Sequence, residues 1–227
     1  SYEEHLRLVL QAFRETALPE LSYAAPALER AAGWKAGSVT RAAWLACLLH
    51  DVGKLSEGWQ KWAHAYQKAI GRPVAASYGV AHTTFNWRDQ THVDAQKRVP
   101  YKRPNHACES ALSIARIANE GLMGNVILVK ALITAIARHH TPHATDCGDF
   151  VLRADAASHI AETVRTIPGE LHEHLDLTTL SEKASRPEQF RSLLCPPNEL
   201  WGWSAYTLIV RALRRADQQG TAQGTQT

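Results

Sequence analysis

The stretch SVTRAAWLACLLHDVGK, residues 38–54, decides how the chain is read. Every residue from Ala42 to Leu49 is apolar. A helix that is apolar all round must be buried all round. This one is therefore expected at the centre of the molecule, with Ser38 as its N-cap. It runs into His50-Asp51-Val52-Gly53-Lys54. A neutral imidazole beside a hard carboxylate suits a metal, and the two oxygens of Asp51 can serve two ions. Gly53 permits a tight turn, and Lys54 brings a cation to the pair. The plainer reading is a capped helix end with no metal.

Working outward, the periodicity is helical almost everywhere. Leu6, Val9, Leu10, Phe13 and Ala17 form a stripe at spacings of three and four, so residues 3–17 read as an amphipathic helix. Further helices are expected from Leu28 to Trp34, from Ser56 to Ile70, over 105–119 and over 125–139, the last strongly apolar. Others are expected at 154–166, 178–185, 187–194 and 203–218. Period-two alternation is scarce, so the fold class is all-α. One domain over 1–219 is expected, with an irregular insert at 71–104 and a flexible tail at 220–227. The insert holds Gly71, Pro73, Gly79, Pro100 and Pro104, and so long a loop is often functional.

Five more residues join the His-Asp pair as candidates. His139 and His140 end the apolar helix 125–139; they either cap its C-terminus or face a metal. His106 opens the helix 105–119. Val210, Leu213 and Asp217 follow one another at spacings of three and four, which puts Asp217 on an apolar face. A carboxylate there needs a cation: a metal, or one of Arg211, Arg214 and Arg215. His5 lies near the face of Leu8 and Val9, where a plain structural histidine is the simpler reading. His64, His82, His92, His143, His159, His172 and His174 sit in polar or loop settings; most of them read as surface residues, with His143 a candidate outer-shell group.

Composition bounds the rest. The 227 residues are 45% hydrophobic and 21% charged, enough for a sizeable core. A net charge of +3 does not by itself argue for nucleic acid. Cys47, Cys108, Cys147 and Cys195 form no C-x-x-C pair, which disfavours a zinc ribbon and fits a reducing cytoplasm. Charges among the first twenty residues argue against a signal peptide, and no apolar run is long enough to span a bilayer. Starting at Ser1 rather than Met suggests a trimmed N-terminus. The insert carries six basic residues against two acidic ones, together with Tyr78, Phe85, Trp87 and Tyr101. It is either a lip for single-stranded nucleic acid or an ordinary solvated arm.

In order along the chain stand His5, H-D-x-G-K (His50, Asp51, Lys54), His106 in NHACES, the double histidine in ARHH, and Asp217 in RALRRAD. This ordered set resembles the HD nuclease domain of the CRISPR-associated Cas-three nuclease/helicase family of type I interference. The resemblance implies an all-helical HD bundle that binds two divalent ions, with Mn, Ni, Co, Fe, Zn or Mg as candidates. One ion would be held by His5, His50, Asp51 and Asp217, the other by Asp51, His106, His139 and His140. Asp51 and Lys54 would be the catalytic residues, Lys54 contacting phosphate or the attacking water. The implied substrate is single-stranded DNA, delivered by a CRISPR RNA-guided surveillance complex. No G-x-x-x-x-G-K-[ST] string is present, so a helicase is expected in cis outside this sequence or in trans. The alternatives are an HD phosphohydrolase of nucleotides or cyclic nucleotides, and a non-enzymatic docking module.

Overall fold

A computed structural model of the chain describes residues 1–83, 85–141, 147–167, 175–184 and 190–224. The all-α expectation holds. At the centre is α3 (Ser38–Leu49), buried over its whole length apart from Thr40 and Arg41. Its N-cap is Gly37, in the left-handed region, rather than Ser38. The capping is done from outside, because the Glu29 carboxylate accepts from the backbone N–H of Gly37 (2.8 Å) and Val39 (2.7 Å). A buried anion at a helix N-terminus also meets the positive end of its dipole.

Around α3 pack the apolar α8 (Val126–Ala137), the N-terminal α1 (Tyr2–Ala12) and the long α11 (Leu200–Gly224). The helix α11 touches α1, α8 and α3, so it joins the two ends of the chain across the core. On α1 the residues Tyr2, His5, Leu6, Val9 and Leu10 are buried, which puts His5 on the core face. Where one helix over 3–17 and another from Leu28 were expected, α1 passes through a π-turn (Phe13–Ala17) into α2 (Leu18–Ala32). Pro19 is tolerated in the first turn of α2, where its missing N–H is not needed.

After the H-D-x-G-K turn, a 3-10 turn over Val52–Leu55, comes α4 (Glu57–Ala69). The expected irregular insert contains a helix, α5 (Gln90–Arg98), whose N-cap Asp89 accepts from Thr91 N–H at 2.9 Å. Its Ala95 joins Trp59, Trp62, Ala63, Tyr66, Val80 and Val99 in a second small core, so the arm is anchored on α4. The expected helix 105–119 is two, α6 (His106–Ser113) and α7 (Ala115–Gly121).

Where a helix over 178–185 was expected there is a 3-10 turn, Leu177–Thr179, and a strand β2 (Lys183–Ala184). That strand pairs antiparallel with β1 (Phe150–Val151). Beyond α9 (Ala156–Thr166), the helix expected at 187–194 is seen as α10 (Phe190–Leu193); positions 185–189 lie outside the described residues. The tail expected to be mobile from Gly220 is helical to Gly224. Gly220 is buried against α1, where a Cβ would come 2.7 Å from Val9 N and 2.9 Å from Val9 Cα. All four cysteines are buried thiols outside any disulfide. Among the described residues, no helix is long and apolar enough to cross a membrane.

Candidate metal centre

The end of α3 places His50 and Asp51, both fully buried, where α1, α6, α8 and α11 converge. Asp51 faces two ways. Its Oδ2 lies 3.0 Å from His5 Nε2, 3.3 Å from His50 Nε2 and 2.6 Å from Lys54 Nζ. Its Oδ1 lies 3.4 Å from His106 Nε2. From α11, Asp217 Oδ1 closes the first side at 3.5 Å from His5 Nε2 and 3.6 Å from His50 Nε2. On the second side His106 Nε2 and His140 Nε2 are 3.0 Å apart, and the His139 ring centroid is 6.0 Å from that of His106. Two groups result, His5–His50–Asp51–Asp217 and Asp51–His106–His139–His140, each with donor atoms within 4.8 Å of one another. All seven expected ligand positions are therefore brought together, with Asp51 in both groups.

The local chain explains the orientation of each ring. His50 Nδ1–H donates to Cys47 O (3.0 Å) and His139 Nδ1–H donates to Ile136 O (2.6 Å). A carbonyl only accepts, so the proton of each neutral ring is on Nδ1 and the lone pair is on Nε2, facing inward. The cap alternative for the double histidine is answered by Arg214, whose guanidinium donates to the carbonyls of Arg138 and His139, both at 2.8 Å. The other two arginines do not serve Asp217; Arg211 and Arg215 both pair with Glu20.

The electrostatics favour a cation. His5 Nε2, His50 Nε2, Asp51 Oδ1 and His139 Nε2 are buried with no hydrogen-bond partner. Each such orphan typically costs ~1–3 kcal/mol. Burial lowers the His5 pKa, against the pull of Asp51, and drives that of His106 well down. His139 is pushed down to about 3 by burial, then by His140 and His50. Those three rings are therefore neutral and ligand-ready. Burial opposes charge on His50, but the Asp51 and Asp217 carboxylates win and raise it to about 10. Burial would raise the pKa of Asp51, yet His50 and Lys54 hold it well below the carboxylate range; His50 likewise holds Asp217 down against burial. Without a metal the first group keeps a proton on His50 as its cation. The donor set, two imidazoles and two carboxylates in one group and three imidazoles and one carboxylate in the other, fits borderline divalent metals.

Several supporting residues were not among the expected site residues. Gly53 N–H donates to Ser110 Oγ (2.8 Å), which donates to His106 O (2.8 Å), clamping the turn to α6. Gln60 Nε2 donates to Lys54 O (2.5 Å). His82, one of the histidines expected in polar or loop settings, has its Nε2 2.8 Å from His5 Nδ1. His143, the candidate outer-shell group, lies outside the described residues, as do His172 and His174. The centre opens through a mouth of about 360 Å³ lined by Lys54, Trp59, His82, Arg103, His106 and His140 among others. Arg103 also lines a larger cleft of about 870 Å³ with Lys102, Asp149 and Lys183.

A His-Asp pair at the end of a buried central helix, feeding two donor groups inside an all-helical bundle, defines the HD class of metal-dependent hydrolases. The chain belongs to the family described as Cas3, HD domain, whose model matches residues 5–205. It is thus a CRISPR-associated HD nuclease domain. Asp217 lies beyond the matched span, and only the fold brings it to the centre. No curated protein and no solved structure matches the chain.

Proposed function

We propose that the chain hydrolyses phosphodiester bonds of single-stranded DNA in type I CRISPR interference, using two divalent cations. His5, His50, Asp51 and Asp217 would hold one, and Asp51, His106, His139 and His140 the other. The observation that carries this is the sharing of Asp51: its two oxygens face two separate donor groups, in which the Nε2 atoms of His5, His50 and His139 have no hydrogen-bond partner. When bound, two such ions neutralise a phosphodiester, lower the pKa of a water between them and support the leaving oxygen. The residues of the chain do the remainder. Asp51 sets the spacing of the groups. Lys54, 6% exposed and lining the mouth, offers a fixed positive charge to the anionic transition state. The burial of His5, His50, Asp51, His106 and His139 keeps bulk water from competing for them, while His140 is exposed at the mouth.

A strand rather than a nucleotide is favoured by the surroundings of the mouth. A small-molecule site would close around its ligand. Here Arg103 links the mouth to a cleft more than twice its volume. The Arg103 guanidinium lies 5.1 Å from the Trp59 ring and 5.2 Å from that of Trp62, and Lys61 lies 4.5 Å from Tyr101. Cations set on aromatic faces suit phosphates and bases together. The helicase, in cis outside this sequence or in trans, and the RNA-guided complex would deliver the strand in the cytoplasm. The test is incubation of metal-stripped protein with circular single-stranded DNA and added Mn²⁺, Ni²⁺, Co²⁺ or Mg²⁺. Cleavage by the native chain and none by Asp51→Ala is expected. Hydrolysis of mononucleotides alone, or equal cleavage by Asp51→Ala, overturns the reading.

A further inference from the structure

Three histidines turn a buried, unpartnered Nε2 to the centre: His5, His50 and His139. Each needs its proton held on Nδ1 for that lone pair to be free. His50 and His139 use carbonyls of their own helices, three residues back. His5 stands in the first turns of α1 and is served differently. Its Nδ1 meets His82 Nε2 at 2.8 Å, with the rings edge-on and their centroids 4.3 Å apart. His82 comes from the arm between α4 and α5, 77 residues along the chain.

We propose that His82 is the positioning residue for His5. With its own proton on Nδ1, His82 accepts the Nδ1–H of His5 at its Nε2. That fixes His5 in the tautomer and ring orientation that aim Nε2 at Asp51 Oδ2 and Asp217 Oδ1. The proposal rests on the two-cation reading above and adds to it an asymmetry. Among the described residues, His82 bonds to no donor of the second group. It also lines both the mouth and a neighbouring cavity of about 490 Å³ beside His5, so it forms part of the wall between them. Through His82 the arm is in this way part of the first ion's site. A strand pressing on the arm would tighten or loosen that ion alone, and the ion would in turn order the arm, since such coupling is reciprocal.

The test is calorimetric titration of Mn²⁺ into the full metal-stripped chain. The native chain is expected to bind two ions. His82→Phe keeps a ring but no acceptor, and is expected to weaken one ion by about 10–100-fold while leaving the other within about twofold. His82→Lys, which has donors only, is expected to do the same. His82→Gln retains an acceptor oxygen and is expected to recover most of the affinity. Adding His82→Phe to Asp217→Ala, which has already lost the first group, should leave the remaining ion unchanged. Native affinity for both ions in His82→Phe and His82→Lys, equal weakening of both, or a further loss in the double variant would overturn the proposal. A native chain that binds fewer than two ions would instead overturn the two-cation reading.

Discussion

Replacing Gly53 by Ala tests how the H-D-x-G-K turn is seated. The backbone of Gly53 is not left-handed, so space rather than conformation excludes a side chain. A Cβ there would overlap the His106 carbonyl oxygen and lie 2.9 Å from its carbonyl carbon and 2.9 Å from Glu109 Cβ. Carbon atoms rest at ~3.5–4.0 Å, so the turn and α6 would have to part by roughly 0.6–1.1 Å. Neither side is a flexible side-chain end. Such overpacking costs about 1–3 kcal/mol, or a melting temperature lower by about 2–12 °C for a chain of this size. The same displacement would carry His106 away from Asp51 Oδ1, now at 3.4 Å, and from His140 Nε2, now at 3.0 Å. A misplacement near 1 Å costs on the order of 100-fold in rate. Thermal melts with and without Mn²⁺, together with DNA cleavage rates, measure both effects. A melt shifted by less than about 1 °C with native cleavage would refute the close-approach reasoning.

Removing metal with a chelator should destabilise the chain by about 2.7 kcal/mol for each ion that had been present at a hundred times its Kd, read as a fall of about 5–11 °C in Tm; an unchanged melt would count against any bound ion. Glu109, buried beside Ser56, has its pKa raised to about 7 by burial, with the Ser56 hydrogen bond opposing. A raised carboxyl pKa means the folded state holds the extra proton between the two values, so stability falls as pH rises from about 4.5 to about 7. Glu109→Gln should remove that slope and be more stable than the native chain at pH 8, by on the order of 3 kcal/mol at ~1.4 kcal/mol per pKa unit; parallel pH–stability curves would refute it. Replacing Arg98, Lys102 and Arg103 together by Ala should make the log–log salt dependence of single-stranded DNA binding shallower by about 2, at ~0.7 per lost phosphate contact. An unchanged slope would make the arm a bystander surface.

What the sequence revealed and what it hid follow from the range of each interaction. The burial of α3 was legible because its own eight apolar residues announce it, and His50 and Asp51 follow directly. His5 was the hardest donor to read, because its partners come from α3 and α11 and no local pattern shows them. His82 was illegible for a stronger reason: it lies in a polar stretch without periodicity, and its one telling contact is 77 residues distant. The break between α6 and α7 carries no Gly or Pro. Ser110 and Ser113 bond back to the carbonyls of His106 and Glu109 (2.8 Å each), a habit that bends helices. The helix α5 was hidden because Ala95 is its one buried residue, which leaves almost no stripe. The strand β2 exists through its pairing with β1, a tertiary choice that overrides local propensity.

The contact of α11 with α1 also has a consequence in time. A chain made from its N-terminus presents His5, His50 and Asp51 long before Asp217, and domains fold as their last pieces arrive. The first donor group therefore has no second carboxylate until the final helix has emerged and seated Gly220 against Val9. A nascent chain halted before residue 217 therefore holds His5, His50 and Asp51 with one carboxylate among them rather than two.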